Sequence, residues 1–298
     1  MRIVEGDLQG REEVAIAPRI ATLLAWLRLP HFVPIAAVLS ATAGLAWVIS
    51  GQNMTASRLS LLLLAMLGGQ IVVGVVNEIV DAPIDARVKP DKPLPAGLVS
   101  TRGAAGMGLA GFLLMAIAGA ALGWKSLALL TLGTGIGVAY SLWFKGTQLA
   151  WLPYLVALPL LPVWVAVSFG AFETELLALY VIGIPATFAI HLAQSVPDVE
   201  ADRSAGLRMI STRLGERGSL IACWGSLLAT VVVAAASGYG ANDIGGWLVA
   251  SVLIGLAAIG VNWLIWRRSS RAGIMAAFPC TAIAVGALAL AWVASIYS

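Results

Sequence analysis

The stretch "NEIVDAPIDARVKPDKPLPAG", residues 77–97, decides how this chain is read. It follows directly on the apolar run "LGGQIVVGVV" (67–76) and gathers four carboxylates, Glu78, Asp81, Asp85 and Asp91, beside Arg87, Lys89 and Lys92. Acids at the C-terminal end of a helix oppose its dipole, and ionisable groups at membrane depth are costly and as a rule functional. A segment that ends this way needs a compensating partner for its carboxylates.

The surroundings of that stretch are apolar throughout. The chain has 298 residues, of which 60% are hydrophobic and 11% charged, with a mean hydropathy of +0.92. Soluble domains average about 45–50% apolar and about 25% charged residues, so the solvent for most of these side chains is a bilayer. A spanning helix takes roughly 20 mostly apolar residues, and nine candidate spans follow, at about 20–49, 59–81, 103–123, 126–144, 150–170, 175–196, 218–238, 244–266 and 272–296. Short connections favour one transmembrane domain over residues 1–298, with 1–19 as an N-terminal cytoplasmic segment. The opening "MRIVEGDLQGREEVA" mixes both charge signs and lacks the pattern of a signal peptide.

Nine spans also sort the charges. All but Arg58 and Lys125 of the 18 Lys and Arg residues fall on the side of the N-terminus and the even-to-odd loops. The positive-inside rule makes that side cytoplasmic, so the chain reads as a multi-pass protein of the cell or inner membrane. The apolar settings of Cys223 and Cys280 favour packing over a disulfide, and Gly68, Gly69 and Gly74 suit close helix contact.

Asn77, Asp81 and Asp85 recur every four residues and share one helix face if the helix persists. Pro83 removes a helical hydrogen bond, so the helix is expected to kink or stop there, with Asp85 on the loop side. A second cluster, "QSVPDVEADRSAG" (194–206), repeats the pattern: Gln194, Asp198 and Asp202 each lie 117 positions after Asn77, Asp81 and Asp85. Two related halves facing one another are the expected arrangement. A single aspartate at a helix end reads as a solvated charge; the matched pair of motifs does not. Mg²⁺ prefers oxygen ligands and is commonly held by one or two carboxylates together with substrate phosphates. The neighbouring cations suit phosphate oxygens. Acids for a metal, bases for phosphate and an apolar chamber above them describe a site for a lipid diphosphate.

These residues resemble the UbiA family of intramembrane prenyltransferases. Asn77-Glu78-x-x-Asp81-x-x-x-Asp85 with "KPDKPLPAG" is similar to its first acidic motif, and Ser195-x-x-Asp198-x-x-x-Asp202 with "RSAGLRMISTRLG" to its second. "AYSLWFK" (139–145) resembles its tyrosine–lysine element, and "LRLPHF" (27–32) the start of its first span. The resemblance implies an all-α integral membrane fold of nine helices around a central cavity, with pseudo-two-fold halves. It also implies Mg²⁺-dependent transfer of a polyprenyl group from an allylic diphosphate to an acceptor, by ionisation of the diphosphate and attack on the carbocation.

Carried onto this chain, Asp81, Asp85, Asp198 and Asp202 are the metal ligands, with Glu78 where the family has aspartate and Asn77 assisting. Arg28, Arg87, Lys92, Arg203 and Arg208 bind the diphosphate, and Lys145 and Tyr140 complete the catalytic set. Ser195 stands in place of the second motif's first acid and removes one charge there. "PDVEAD" leans the acceptor toward an aromatic of quinone-head or homogentisate type, and hence toward quinone biosynthesis, with tetrapyrroles and glycerol phosphates open beside it. The partners expected are the prenyl diphosphate, a small lipophilic or aromatic acceptor and the bilayer, with no nucleic acid and no obligate protein partner. A terpene cyclase acting on the diphosphate alone is one alternative. A transporter is the other, although transporter sites lie nearer the midplane. His31 reads as an interfacial or core residue. His191, two helical turns before Asp198, is placed where it could face the cavity.

Overall fold

A computed structural model describes residues 24–26, 28–51, 54–240 and 245–297. The expected N-terminal segment 1–19, and the first residues of the expected span 20–49, lie outside these residues. The described chain is helical throughout. Its elements are α1 (Phe32–Ser50), α2 (Ala56–Val88), α3 (Thr101–Ala121), α4 (Trp124–Ala139) and α5 (Leu152–Phe169). The short α6 (Leu179–Ile182), α7 (Ile184–Ser195) and α8 (Val199–Ser204) follow, then α9 (Ile210–Gly240), α10 (Gly246–Arg268) and α11 (Ser270–Tyr297).

Local chemistry sets the helix ends. Thr55 and Ser100 cap α2 and α3 by accepting hydrogen bonds from the backbone N–H groups of Arg58 (3.3 Å) and Gly103 (3.0 Å), donors that the first helical turn leaves without a partner. Gly170 ends α5 in the left-handed region, where a missing Cβ removes the steric penalty.

Eight of the helices are long and apolar enough to cross a membrane alone, and a ninth span results if the pair Thr174–Ile182 and Ile184–Ser204, bent by 56°, is counted as one. The expected sixth span is therefore a broken one. It turns at Gly183 and again at a 3₁₀ turn, Val196–Asp198. The second expected span also needs correction. α2 does not stop near Pro83 but runs on to Val88, which carries Asp81 and Asp85 inside the helix and buries both.

The interior divides into two main apolar clusters. One joins α1 to α6, among them Leu45, Leu62, Met115 and Trp164, with Val293 of α11; the other joins α7, α9 and α11 through Leu192, Leu220 and Ala277. α2 packs on α3 and α10 on α11, while α11 returns to α1 and closes the ring. Gly68 permits the α2–α3 approach: a Cβ there would lie 2.5 Å from the Gly111 carbonyl oxygen. Large apolar side chains such as Trp47, Trp124 and Trp247 face outward, as they do where the surrounding solvent is lipid. Cys223 and Cys280 are free thiols.

Candidate active site

The ring of helices encloses a chamber of about 790 Å³ with mainly apolar walls from α1, α2, α5, α9 and α11. Asn77, Tyr140, Lys145, Asp198 and Asp202 line its mouth. Beyond the mouth lies a small cleft that Asp81, Asp85, Lys89 and Lys92 share with Asn77, Lys145, Asp198 and Asp202. The fold thus brings both acidic motifs, separated in sequence by 117 positions, to one opening.

The first motif stands on the last turns of α2. Asn77 Nδ2 donates to Asp81 Oδ2 at 3.1 Å. Lys145 donates to Asn77 Oδ1 at 3.1 Å and also to Asp81. It is aimed there by a π-helical turn, Tyr140–Phe144, that ends α4; such turns recur at functional sites. Lys92, from the loop after α2, reaches back to Glu78 and Asp85, each at 2.7 Å. Burial disfavours the Lys92 ammonium, but the hydrogen bonds to Asp85 and Glu78 outweigh it and hold its pKa above the ordinary lysine value. Glu78 Oε1 also lies 3.0 Å from His31 Nε2.

The second motif is built differently. Its 3₁₀ turn carries Asp198 to the cleft, where Lys89 from the first motif's loop donates to it at 2.6 Å. Asp202 follows on α8 beside it and makes no ion pair among the described residues. Gln194 is turned into the chamber wall, where it accepts a hydrogen bond from the Tyr154 hydroxyl. Tyr154 in turn meets Tyr140 edge to face, 5.4 Å between ring centres.

The donor set fits a hard dication, since Glu78, Asp81, Asp85, Asp198 and Asp202 offer only oxygen. Among the described residues no three such groups converge as a closed metal cage.

The four arginines expected at the diphosphate stand outside the cleft. Arg87, two positions past Asp85, faces away from it, as i,i+2 neighbours on a helix do, and is exposed; so are Arg28 and Arg208. Arg203 donates to the Thr212 carbonyl through Nη2 at 2.7 Å and braces the α8–α9 connection. His191 is buried and meets Tyr154 edge to face, 5.3 Å between ring centres, instead of lining the chamber. Conversely, His31 borders both chamber and cleft. The signal for it was thin: His31 adopts a left-handed backbone (φ 60°), which a histidine codon does not announce. Lys89 was visible only as one more cation of the loop.

A helical ring around an apolar chamber, with acids and lysines at one mouth, defines a membrane-embedded helical protein whose charged site opens onto an apolar interior. The chain belongs to the UbiA prenyltransferase family, whose sequence profile matches residues 37–288. It is 32% identical over 200 residues, 65% of this chain and 70% of the other, to the digeranylgeranylglyceryl phosphate synthase of Natronomonas pharaonis. Its fold matches a UbiA homologue from Aeropyrum pernix K1 at 25% identity and a TM-score of 0.65, covering 85% of this chain and 96% of that one. It also matches an Archaeoglobus fulgidus UbiA homologue bound to GPP and Mg²⁺, at 19% identity and a TM-score of 0.67, covering 91% and 99%.

Proposed function

We propose that this prenyltransferase moves a polyprenyl group from an allylic diphosphate to the hydroxyl of a glyceryl phosphate lipid precursor. The observation that carries the reading is the convergence of both acidic motifs and three lysines at the mouth of one apolar chamber. The solved homologue described with GPP and Mg²⁺ supports a prenyl diphosphate and a dication here. An aromatic acceptor has only the string "PDVEAD" in its favour. The relative from N. pharaonis is named for a product with prenyl chains on glyceryl phosphate, which supports that acceptor class. It also shifts the expected pathway from quinones to lipids.

In this reading Asp81, Asp85, Asp198 and Asp202, with Glu78 and Asn77, hold Mg²⁺, which when bound offsets charge on the diphosphate. Lys145, Lys92 and Lys89 already sit among these carboxylates and steady the diphosphate oxygens as the allylic C–O bond breaks and its electrons leave with the diphosphate. Tyr140 flanks the mouth, and the apolar walls exclude the water that would quench the cation. The acceptor oxygen then forms the new C–O bond and gives its proton to the departed diphosphate. Arg28, Arg87, Arg203 and Arg208 keep to the interface, where their excess supports a cytoplasmic placement of this face.

The test is diphosphate release by purified protein in detergent, with Mg²⁺, geranylgeranyl diphosphate and a panel of acceptors. A prenylated glyceryl phosphate acceptor should give the product, identified by mass. Faster turnover of 4-hydroxybenzoate or homogentisate would restore the aromatic reading, and release without any acceptor would favour the cyclase.

A further inference from the structure

The two motif amides, Asn77 and Gln194, hold matching positions in the sequence but not in the hydrogen bonding. Asn77 is committed to its own wall: its Nδ2 donates to Asp81 at 3.1 Å, and its Oδ1 accepts from Lys145 at 3.1 Å and from Ser141 at 3.4 Å. Gln194 engages only its oxygen, which accepts from the Tyr154 hydroxyl. Its Nε2 meets no acceptor among the described residues and is left open, on a side chain that lines the chamber. The hydroxyls that α7 offers nearby are closed on their own helix, Ser195 donating to the His191 carbonyl at 2.8 Å and Thr187 to the Ile184 carbonyl at 2.7 Å. Two rings hold Tyr154 in place: Tyr140 and the buried His191 both meet it edge to face, at 5.4 and 5.3 Å between ring centres. An amide whose oxygen is fixed presents its two N–H donors in fixed directions. Tyr154 and Gln194 border the chamber but not the cleft beyond its mouth, whereas Asp198, four positions later, borders both. The open donor therefore stands on the apolar side of the three lysines.

We infer that Gln194, oriented by Tyr154, is a specificity-determining residue for the acceptor, and that its Nε2 donates to the acceptor's ether oxygen. This rests on the transfer to a glyceryl phosphate proposed above. A polar group in apolar surroundings is costly without a partner, and the hydrocarbon of a prenyl chain has no atom that accepts a hydrogen bond. The oxygens of the diphosphate lie with the lysines in the cleft, so the partner of Gln194 belongs to the second substrate. A glyceryl phosphate that already carries one ether-linked chain has an ether oxygen on the carbon next to the one bearing its free hydroxyl. That oxygen accepts but cannot donate, which matches an open N–H. Held by it, the neighbouring hydroxyl stays at the mouth, where the allylic carbon parts from the diphosphate; fixing the two reacting atoms in this way lowers the entropic part of the barrier.

The experiment varies the acceptor at saturating geranylgeranyl diphosphate and Mg²⁺ and reads diphosphate release. Two acceptors are compared: glyceryl phosphate with one ether-linked geranylgeranyl chain, and its analogue with a methylene in place of the ether oxygen. For wild-type protein the acceptor KM should be about tenfold lower with the ether, the size of one hydrogen bond set against a stranded donor. Gln194→Met, similar in length and without a donor, should raise the KM of the ether acceptor to that of the analogue and leave the KM of geranylgeranyl diphosphate within about twofold. Tyr154→Phe keeps Gln194 but frees its amide, and should narrow the ether preference to about threefold. Equal use of the two acceptors by wild-type protein overturns the inference, as does an active Gln194→Met protein that keeps the wild-type ratio. A change confined to the KM of geranylgeranyl diphosphate overturns it too, by placing Gln194 on the diphosphate. Should Gln194→Met fail to fold, Tyr154→Phe decides, and an unchanged ether preference there counts against the role. No release by wild-type protein with either acceptor would instead sink the transfer to glyceryl phosphate, and the role of Gln194 with it.

Discussion

The two acidic motifs have the same spacing, an amide and two aspartates at four-residue intervals, yet the fold handles them differently. In the first, one unbroken helix carries Asn77, Asp81 and Asp85 on a single face, and Glu78, Asp81 and Asp85 are all buried. Two lysines balance them, Lys145 from the turn after α4 on Asp81 and Lys92 from the loop after α2 on Glu78 and Asp85. In the second, the helix breaks between the amide and the first aspartate. Gln194 turns into the chamber wall while the side chain of Asp198 stays 45% exposed, paired with a half-exposed Lys89. A buried carboxylate is costly to leave without a partner, whereas an exposed one is solvated and cheap to move. The first motif is thus a rigid, pre-balanced wall, and the second an adaptable one.

This difference can be broken by experiment. The largest effect expected is on activity: Asp81→Asn should lower kcat/KM for diphosphate release by about a thousandfold, the upper range for one preorganised electrostatic group. Asp198→Asn should cost about a hundredfold or less, the lower end of that range. Equal losses would mean that the two walls contribute alike. Next comes stability. Lys145→Met strands Asp81, so unfolding in detergent should require about 3 kcal/mol less, seen as a lower melting temperature. The smallest effect should come from Lys89→Gln, which removes a partly exposed pair and should shift stability by no more than about 1 kcal/mol. A Lys89 variant that melts as early as the Lys145 variant would show that the contact across the cleft, and not burial, holds the two halves together.

Much of this was legible in the residues themselves. The span pattern rests on hydropathy over about 20 residues, and the sixteen clustered cations rest on topology; neither needs tertiary information. Four of the five acids stood out by spacing alone. The path through Pro83 did not: a proline removes only one hydrogen bond, and the packing of α2 on α3 together with the Lys92 contacts to Glu78 and Asp85 carries the helix past it. The break at Gly183 was equally hidden within an apolar run. The arginines were singled out because their guanidinium chemistry suits phosphate; in the structure Arg28, Arg87 and Arg208 are exposed and Arg203 braces the α8–α9 connection.

The sequence by itself determined the solvent, the helical class, the crowding of cations on one side and the two acidic clusters, because these follow from composition and from periodicity along one chain. Only the tertiary structure decided which cation meets which acid, where His31 and Tyr154 sit, and how much space the chamber encloses. Those depend on side chains distant in sequence meeting across the ring, as Lys89 meets Asp198 and Lys145 meets Asp81, and no local pattern encodes a distance between helices.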